Sequence, residues 1–301
     1  MSGRQIEETA YGKINLTLDV TGRRTDGYHL VRMIMQTVDI FDTVRIEHTE
    51  GEEIEVATMS GEIPAGPDNL CYRAALAMKE ASQIPGGFRI FIEKRIPVAA
   101  GMAGGSADAA AVLRGIRRLC VPEAGAKDLE RIGLPLGADI PYCVLGGTKL
   151  SEGIGEVLTS LPAPPKHTLV IVKPDLYVST GWVYTNFDAI PEAEVRHPDV
   201  DAAVSALHRR DLSGLCGVLG NVLEQKTGAE YPVIGELERF LEERGAVRAL
   251  MTGSGPTVFG IFDDSKKAEA AFADLAAKER YAGFQRFLTH TADEPYAAAF
   301  A

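Results

Sequence analysis

The stretch of sequence that decides the fold is Lys94-Arg-Ile-Pro-Val-Ala-Ala-Gly-Met-Ala-Gly-Gly-Ser-Ala-Asp-Ala-Ala110. Gly101, Gly104 and Gly105 come directly before a helical pattern that opens at Ser106. Glycine tolerates positive φ and lets backbone N–H groups approach a ligand without obstruction by a Cβ atom. The first turn of a helix adds unsatisfied N–H donors and the positive end of the helix dipole. Together these features predict a cradle for an anion, most simply a nucleotide phosphate.

This cradle differs from the usual phosphate-binding motifs. The sequence contains neither GxxxxGKS/T nor GxGxxG, so it predicts neither a P-loop nor a dinucleotide-binding fold. A glycine-rich turn that leads into an ordinary helix remains an alternative. We expect the helix to begin at Ser106, as first residue or N-cap, and to end before Pro122. The spacing leaves open whether Ser106 caps the helix or binds magnesium or phosphate.

Composition excludes several classes of protein. The chain has 301 residues, of which 46% are hydrophobic and 24% charged, as expected for a folded protein of about two domains. Its net charge of −11 argues against nucleic-acid binding, which needs basic surface. No apolar run approaches the roughly 18 residues of a membrane span. The N-terminus carries no apolar block, so we expect no signal peptide, no membrane contact and a cytoplasmic location. The histidines lack zinc-site spacing, and we predict no protein-bound metal.

The order of apolar patterns predicts two mixed helix-and-strand domains. Three prolines within residues 161–166 mark the boundary, which places the domains at 1–162 and 163–301. Predicted strands cover residues 14–20, 33–40, 44–46, 88–92, 168–172, 248–252 and 257–262. Predicted helices cover residues 70–77, 106–121, 204–207, 212–223, 233–241 and 266–277.

Three short segments carry polar groups whose sequence pattern fits two interpretations. Period-2 alternation places Lys13 and Asn15 opposite the apolar face of the first strand, a position that is most often simply solvated. The Asp26-Gly27 turn projects Tyr28 and His29, which can stack on a nucleobase or anchor a loop. The turn at residues 251–257 is either a plain hairpin or a second backbone surface for phosphates.

Asp139 is the one carboxylate in the apolar stretch from Leu136 to Cys143. Burial of a carboxylate is costly unless a cation or hydrogen bonds compensate it. The residues therefore predict that Asp139 is either paired structurally or used in chemistry, and they do not choose between the two.

Taken together, five segments resemble the GHMP kinases, over about residues 10–262. The segments are Gly12-Lys-Ile-Asn-Leu16, Arg24-Thr-Asp-Gly-Tyr-His29, the loop at 97–106, Gly137-Ala-Asp-Ile-Pro141 and Gly253-Ser-Gly-Pro-Thr257. The resemblance implies an α+β fold with a ribosomal-protein-S5-like, ATP-binding N-terminal domain and a ferredoxin-like α/β sandwich as C-terminal domain. Within the GHMP kinases, the Tyr28-His29 pair makes this sequence resemble one group of members. Those members phosphorylate the 2-hydroxyl of a cytidine diphosphate-linked methylerythritol, in non-mevalonate isoprenoid biosynthesis.

The resemblance also implies roles for single residues. Lys13 and Asp139 match the catalytic lysine and aspartate, and we expect the two side chains to converge beside the glycine-rich loop. Tyr28 and His29 match the cytosine-binding pair, and Tyr184 falls where a second ring closes on the base. Two further substrate-binding residues are implied, Asn15 at the erythritol end and Thr180. The implied ATP-binding residues are Pro97, Val98, Ala99, Ala100, Gly101, Met102, Ala103, Gly104, Gly105, Ser106, Ala107, Gly253, Ser254 and Gly255.

The implied partners are ATP as phosphoryl donor with Mg²⁺ and a small-molecule acceptor, for a monomer or weak homodimer. Ala103 and Ala107 depart from the family pattern, which has glycine and serine at these positions. The resemblance therefore does not define which atoms of the loop contact each phosphate. Three rival functions are another small-alcohol GHMP kinase, a non-catalytic nucleotide-binding protein and a protein kinase. His208-Arg-Arg-Asp211 resembles a protein-kinase catalytic loop only superficially, because the spacing is wrong and no Asp-Phe-Gly follows.

Overall fold

The computed structural model describes residues 4–58, 64–296 and 300. Its strands are β1 (Gln5–Arg23), β2 (His29–Thr49), β3 (Ile54–Thr58), β4 (Gly87–Glu93), β5 (Thr148–Glu152), β6 (Val157–Ser160), β7 (Thr168–Lys173), β8 (Gly220–Asn221), β9 (Arg248–Met251), β10 (Val258–Phe262) and β11 (Gln285–Thr289). Its helices are α1 (Leu70–Ser82), α2 (Gly104–Cys120), α3 (Ala126–Gly133), α4 (Ile140–Leu145), α5 (Thr180–Phe187), α6 (Val200–Arg209), α7 (Leu212–Val218), α8 (Glu224–Glu230), α9 (Val233–Glu243) and α10 (Ser265–Ala277).

The N-terminal half is built on a long antiparallel hairpin of β1 and β2. The sheet has the order β3-β4-β2-β1-β8, and the β5–β6 hairpin pairs with the outer part of β2. β8 lies parallel to β1 although it belongs to the C-terminal half of the chain. The first sheet therefore joins the two halves through backbone hydrogen bonds.

Helix α2 packs on this sheet and is buried along most of its length, because small side chains let it lie close. Ala107, Ala109, Ala110 and Ala111 are fully buried. A Cβ atom at Gly115 would lie 2.2 Å from Ile46 Cδ1, so this position needs glycine. Close packing of this kind fixes the first turn of α2, and the loop before it, relative to the sheet.

The second sheet has the antiparallel order β11-β7-β10-β9. Its apolar side chains, with those of α9 and α10, form a separate core that includes Val172, Leu237 and Phe262. Helices and strands are thus mixed in both halves, and the predicted α+β fold class is confirmed.

Irregularities in β1 redirect its backbone toward the middle of the molecule. The pairing with β2 shifts register between Tyr11 and Lys13 and again between Asn15 and Thr17. The N–H of Lys13 donates to Met102 O (3.1 Å), and the N–H of Asn15 donates to Thr252 Oγ1 (2.9 Å). Bulges commonly re-aim side chains beside functional sites, and here they join β1 to two glycine-containing turns.

The element predictions were correct in type for most segments but wrong at several ends. The residues predicted as separate strands at 33–40 and 44–46 belong to one strand, β2. The helix predicted to start at Ser106 starts at Gly104 with Ala103 as N-cap. The helix predicted at 212–223 ends at Val218, since the chain turns there to pair β8 with β1.

After β11 the chain returns to the N-terminal sheet. Asp39 N–H donates to His290 O, and Ala292 N–H donates to Thr37 O, both at 2.9 Å. The Tyr296 ring then packs on the Arg114 guanidinium, 3.6 Å from the ring centroid. The domain boundary between residues 162 and 163 stays a prediction. Residues 290–296 follow that boundary in the sequence but contact the N-terminal half of the chain. Among the described helices, none is both long and apolar enough to cross a bilayer.

Candidate active site

A cavity of about 960 Å³ opens between the two halves of the molecule. The glycine-rich loop and the first turn of α2 form one side, and β1 forms the floor. The turn at Gly253, helix α5 and the residue before α4 complete the lining. The cavity thus collects segments that are more than 200 residues apart in the sequence.

The two glycine turns touch each other across the boundary between the halves. Gly101 has φ +71°, and a Cβ atom there would lie 2.4 Å from Thr252 O. Gly253 has φ +59°, and its Cβ atom would lie 2.9 Å from Gly101 O. Both glycines are therefore required for close backbone packing, whatever they also do for a ligand. Asn221 supports the second turn, because its Nδ2 donates to Met251 O (3.0 Å) and Gly253 O (2.8 Å).

Lys13 is buried at the floor of this cavity, with 5% of its surface exposed. Its ammonium donates to Asn15 Oδ1 at 2.7 Å and to Gly101 O at 2.9 Å. Within the described part of the chain it forms no ion pair with a carboxylate. Strand alternation left open that Lys13 and Asn15 lie on an ordinary solvated face, and this alternative does not hold, because both residues are buried. A buried cation held only by neutral oxygens can stabilise an incoming anion.

Asp139 lies at the N-terminus of α4 and lines the same cavity, half-buried. Its carboxylate makes no hydrogen bond and no ion pair to any of the residues that the structure describes. Burial raises the pKa of the nearby Cys143 thiol; the charge of Asp139 raises it further, and that of Lys13 lowers it. Both charges therefore act on one thiol, although Lys13 and Asp139 form no direct ion pair. The unpaired carboxylate favours the chemical reading of Asp139 over the structural one.

A second lysine, Lys94, lines the cavity at the stem of the glycine-rich loop, and its side chain is 8% exposed. Its ammonium donates to Asp42 Oδ2 (2.5 Å) and Asp108 Oδ2 (2.6 Å). Asp42 Oδ1 also accepts the N–H groups of Arg95 (2.5 Å) and Ile96 (2.8 Å), at the start of the loop. Burial, together with the neighbouring charge of Asp42, raises the pKa of Asp108 to about 8. This cluster joins the chain before the loop to the helix after it.

Aromatic groups gather at another part of the cavity, around the turn that carries Tyr28 and His29. Tyr28 is 60% exposed, whereas the His29 ring packs against Tyr184 with ring centroids 4.7 Å apart. His29 Nε2 lies 2.6 Å from Asp188 Oδ1. Burial, with the charge of Asp139, raises the pKa of the Tyr184 hydroxyl. A planar ligand can stack at this end while its polar edge meets the imidazole.

Most residues predicted for the site line this one cavity. They are Lys13, Asn15, Tyr28, His29, Pro97, Val98, Ala99, Ala100, Gly101, Ala103, Gly104, Gly105, Ser106, Asp139, Thr180, Tyr184, Gly253 and Ser254. Met102, Ala107 and Gly255 do not line it. Met102 and Ala107 are buried beneath the loop, and Gly255 packs on Met251.

The comparisons with known proteins agree with this arrangement. The models "GHMP kinases N terminal domain" and "GHMP kinases C terminal" match residues 69–147 and 192–280. A protein of Lachnoclostridium phytofermentans named "4-diphosphocytidyl-2-C-methyl-D-erythritol kinase" is 48% identical over 94% of this chain and 96% of that protein. The chain belongs to this kinase family. A protein of the same name from Alkaliphilus metalliredigens is 44% identical over 91% of this chain and 93% of that protein.

Solved structures of GHMP kinases share the architecture. The crystal structure of a 4-(cytidine 5'-diphospho)-2C-methyl-D-erythritol kinase matches with a TM-score of 0.79 and 33% identity. The match covers 95% of this chain and 99% of that one. A homoserine kinase from Cytophaga hutchinsonii matches with a TM-score of 0.78 at 17% identity, over 97% of this chain and 95% of that one, and so shares the fold.

Sequence reasoning missed several polar residues of this GHMP kinase. Asp188 and Arg23 hold the aromatic end, and Asp42 and Asp108 hold Lys94. Asp42 follows an apolar strand segment, the same signal that singled out Asp139, and could have been found in that way. Asp188 lies far from His29 in sequence, and no local pattern connects the two residues.

One rival motif has a structural explanation. Asp211, in the segment His208-Arg-Arg-Asp211, is the N-cap of α7, and its carboxylate accepts the N–H of Gly214 at 2.8 Å. The segment joins α6 to α7 and does not line the cavity.

Proposed function

We propose that this kinase transfers the γ-phosphoryl group of ATP to the 2-hydroxyl of 4-diphosphocytidyl-2-C-methyl-D-erythritol, giving the 2-phosphate and ADP. The reaction belongs to non-mevalonate isoprenoid biosynthesis. The observation that carries the proposal is the placement of two uncompensated charges, Lys13 and Asp139, in one cavity. That cavity has a glycine-rich helix N-terminus on one side and a cluster of aromatic rings on another.

The glycine-rich side suits the phosphates of ATP. The first N–H groups of a helix have no partner within the helix, and Gly104, Gly105 and Ser106 bring them to the cavity wall. Gly253 and Ser254 add backbone from the C-terminal half. The Ser254 hydroxyl lies 2.9 Å from Thr180 Oγ1, which ties this turn to α5.

Lys13 and Asp139 then act on the acceptor hydroxyl. Phosphoryl transfer has a loose transition state, so catalysis depends mainly on positioning and on charge stabilisation. Lys13 supplies a fixed positive charge beside the γ-phosphate, oriented by Asn15 and Gly101 O. Asp139 orients the 2-hydroxyl and finally takes its proton. Asn15 holds the erythritol end, and Tyr28, His29 and Tyr184 bind the cytosine.

Magnesium is compatible with the residues present. The described residues contain no group of three or more His, Cys, Asp or Glu side chains that could hold a metal ion. Magnesium in kinases is bound largely by phosphate oxygens, with one or two protein oxygens. The half-buried Ser106 hydroxyl lines the cavity and has no hydrogen-bond partner in the described chain, so it is the candidate ligand. When bound, magnesium neutralises phosphate charge.

A cytoplasmic location and a monomer or weak homodimer are proposed from the sequence alone.

The test is an ATP-consumption assay with the cytidylyl alcohol as sole acceptor, compared with homoserine and mevalonate. We expect turnover of the cytidylyl alcohol alone, because homoserine and mevalonate carry no base that could stack at the aromatic end of the cavity. Asp139→Asn should lower kcat by about 10²–10⁴-fold while ATP affinity stays near normal. ATP binding without turnover of any alcohol would instead support the non-catalytic rival, and near-normal kcat in the variant would remove Asp139 as the base.

A further inference from the structure

Asp188 sits where the cavity's aromatic end meets the C-terminal half of the chain. It is the residue directly after α5, and its backbone N–H donates to Tyr184 O at 3.1 Å. Its two carboxylate oxygens have different partners. Oδ1 lies 2.6 Å from His29 Nε2, and Oδ2 accepts from Arg23 Nη1 at 3.0 Å. One side chain therefore joins α5 to both ends of the turn at residues 24–28.

The contact with Asp188 decides which nitrogen of His29 carries the proton. An ionised carboxylate can only accept hydrogen bonds, so Nε2 must be the donor. In a neutral imidazole the other nitrogen, Nδ1, is then an acceptor. Nδ1 has no partner among the described residues, and His29 lines the cavity. The imidazole consequently presents a lone pair to whatever stacks there.

We infer that Asp188 is a positioning residue that makes His29 select cytosine over uracil; this inference rests on the proposed function. Cytosine carries an exocyclic amino group, which donates hydrogen bonds, where uracil carries a carbonyl oxygen, which only accepts them. The lone pair of His29 Nδ1 accepts a hydrogen bond from the amino group of cytosine. With uracil the same lone pair faces a carbonyl oxygen, and no hydrogen bond forms because neither atom carries a hydrogen. Sites built to bond one polar group discriminate strongly, because the wrong ligand leaves buried groups unpaired.

The ion pair between Asp188 and Arg23 strengthens this arrangement. Arg23 also donates from Nε to Gly27 O at 3.1 Å, within the turn that carries Tyr28. Gly27 has φ +93°, and Tyr28 N–H donates to Asp26 Oδ1 at 3.3 Å. The turn is therefore held in one shape, with His29 and Tyr184 in contact at its base.

A purely structural role for Asp188 is the alternative, and Asp201 offers a matched control. Asp201 Oδ1 accepts from Arg32 Nη2 at 2.6 Å, and so joins β2 to α6 across the same two halves. Its side chain is 79% exposed and does not line the cavity. Loss of Asp201 removes an ion pair between the halves but leaves the His29 ring nitrogens unchanged.

The experiment compares the full-length wild-type chain with Asp188→Asn and Asp201→Asn. Calorimetry measures the affinities for cytidine diphosphate and uridine diphosphate. We expect wild type and D201N to prefer the cytidine nucleotide by about 10-fold or more, and D188N to lose most of this preference through weaker cytidine binding. With the cytidylyl alcohol, KM should rise in D188N while kcat stays within about twofold of wild type.

A nitrogen-15 NMR spectrum of the histidine rings gives a readout that needs no activity. Wild-type His29 should carry its proton on Nε2, and D188N should show a mixture of tautomers, because an amide can accept or donate. A proton on Nδ1 in wild type would overturn the inference, even if D188N failed to fold. Equal loss of preference in D188N and D201N, or an unchanged preference in D188N, would also overturn it.

The two proposals fail in distinguishable ways. If wild type does not phosphorylate the cytidylyl alcohol but still prefers the cytidine nucleotide through the Nε2–H tautomer, only the proposed function is wrong. If it phosphorylates that alcohol while D188N changes neither tautomer nor nucleotide preference, only the role of Asp188 is wrong.

Discussion

Two lysines with largely buried side chains, Lys13 and Lys94, border the glycine-rich loop, and their surroundings differ in one respect. Lys94 donates to two carboxylates, Asp42 and Asp108, at 2.5 and 2.6 Å. Lys13 donates to an amide oxygen and a backbone carbonyl, at 2.7 and 2.9 Å. The charge of Lys94 is therefore compensated by carboxyl groups of the protein, whereas the charge of Lys13 is not. Both lysines line the cavity, so exposure to it does not by itself make a lysine catalytic.

The difference indicates a structural role for Lys94 and a catalytic role for Lys13. An ammonium shared by two buried carboxylates holds the fold, since removing it would leave both acids unpaired. An ammonium held by neutral oxygens keeps its field available to a phosphate that arrives later. The following substitutions test this contrast, beginning with the largest expected effect.

Lys13→Met should lower kcat by about 10³-fold or more, because the variant loses the charge that stabilises the transferred group. Its stability should change little, since Asn15 Oδ1 keeps a contact with Thr252 Oγ1 at 3.4 Å. Steady-state kinetics and a urea titration measure the two effects. Substantial residual turnover in a folded variant would show that Lys13 is not the catalytic cation.

Lys94→Met should mainly destabilise the protein, by about 3–5 kcal/mol, because Asp42 and Asp108 would be left buried without their cation. Urea unfolding gives the free energy, and the midpoint should fall well below that of Lys13→Met. The contrast between the lysines would be refuted if Lys94→Met unfolded like wild type and lost only turnover.

Asp108→Asn should change the pH dependence of stability. Burial raises the pKa of Asp108 to about 8, whereas the ordinary pKa of an aspartate carboxyl is 3.8. Between these values the folded state holds a proton that the unfolded chain has released, so wild-type stability falls as pH rises through this range. The variant cannot ionise, and we expect it to match wild type near pH 5 and to exceed it by a few kcal/mol near pH 9. Urea unfolding at both pH values tests this, and an equal difference at the two values would contradict it.

Ala103→Gly should produce the smallest effect, a gain of roughly 0.5–1 kcal/mol in stability, because Ala103 has φ +57° as N-cap of α2. Ala107→Gly is the matched control. Ala107 lies buried within α2, so glycine there should cost about 1 kcal/mol. Thermal unfolding of the two variants should therefore move in opposite directions. Movement in the same direction would mean that the loop is not strained at residue 103.

The sequence predicted elements and motifs better than it predicted their ends. Strong local periodicity identified α2 and the strand around residue 14, and glycine spacing identified the loop. The register shifts in β1, the left-handed N-cap and the short β8 depend on partners elsewhere in the chain. No local pattern encodes such partners, which is why α7 was predicted too long.

The candidate site shows the same division. The motifs at Lys13, His29 and Asp139 carry recognisable residue types in fixed order, so each could be found before the fold was known. Whether a charge is neutralised could not be found, because it depends on distant groups. Lys94 and Lys13 look alike in the sequence, and only the positions of Asp42 and Asp108 separate them.

The contact between Tyr296 and Arg114 sets the order in which the molecule can be completed during synthesis. Arg114 is fully buried and donates to Cys143 O and Thr9 O, at 2.7 and 2.8 Å, beneath the Tyr296 ring. A ribosome adds about 5–20 residues per second, so the N-terminal half waits on the order of ten seconds for this ring. During that interval the guanidinium lacks its cover. The part of the kinase that is made first is therefore finished last.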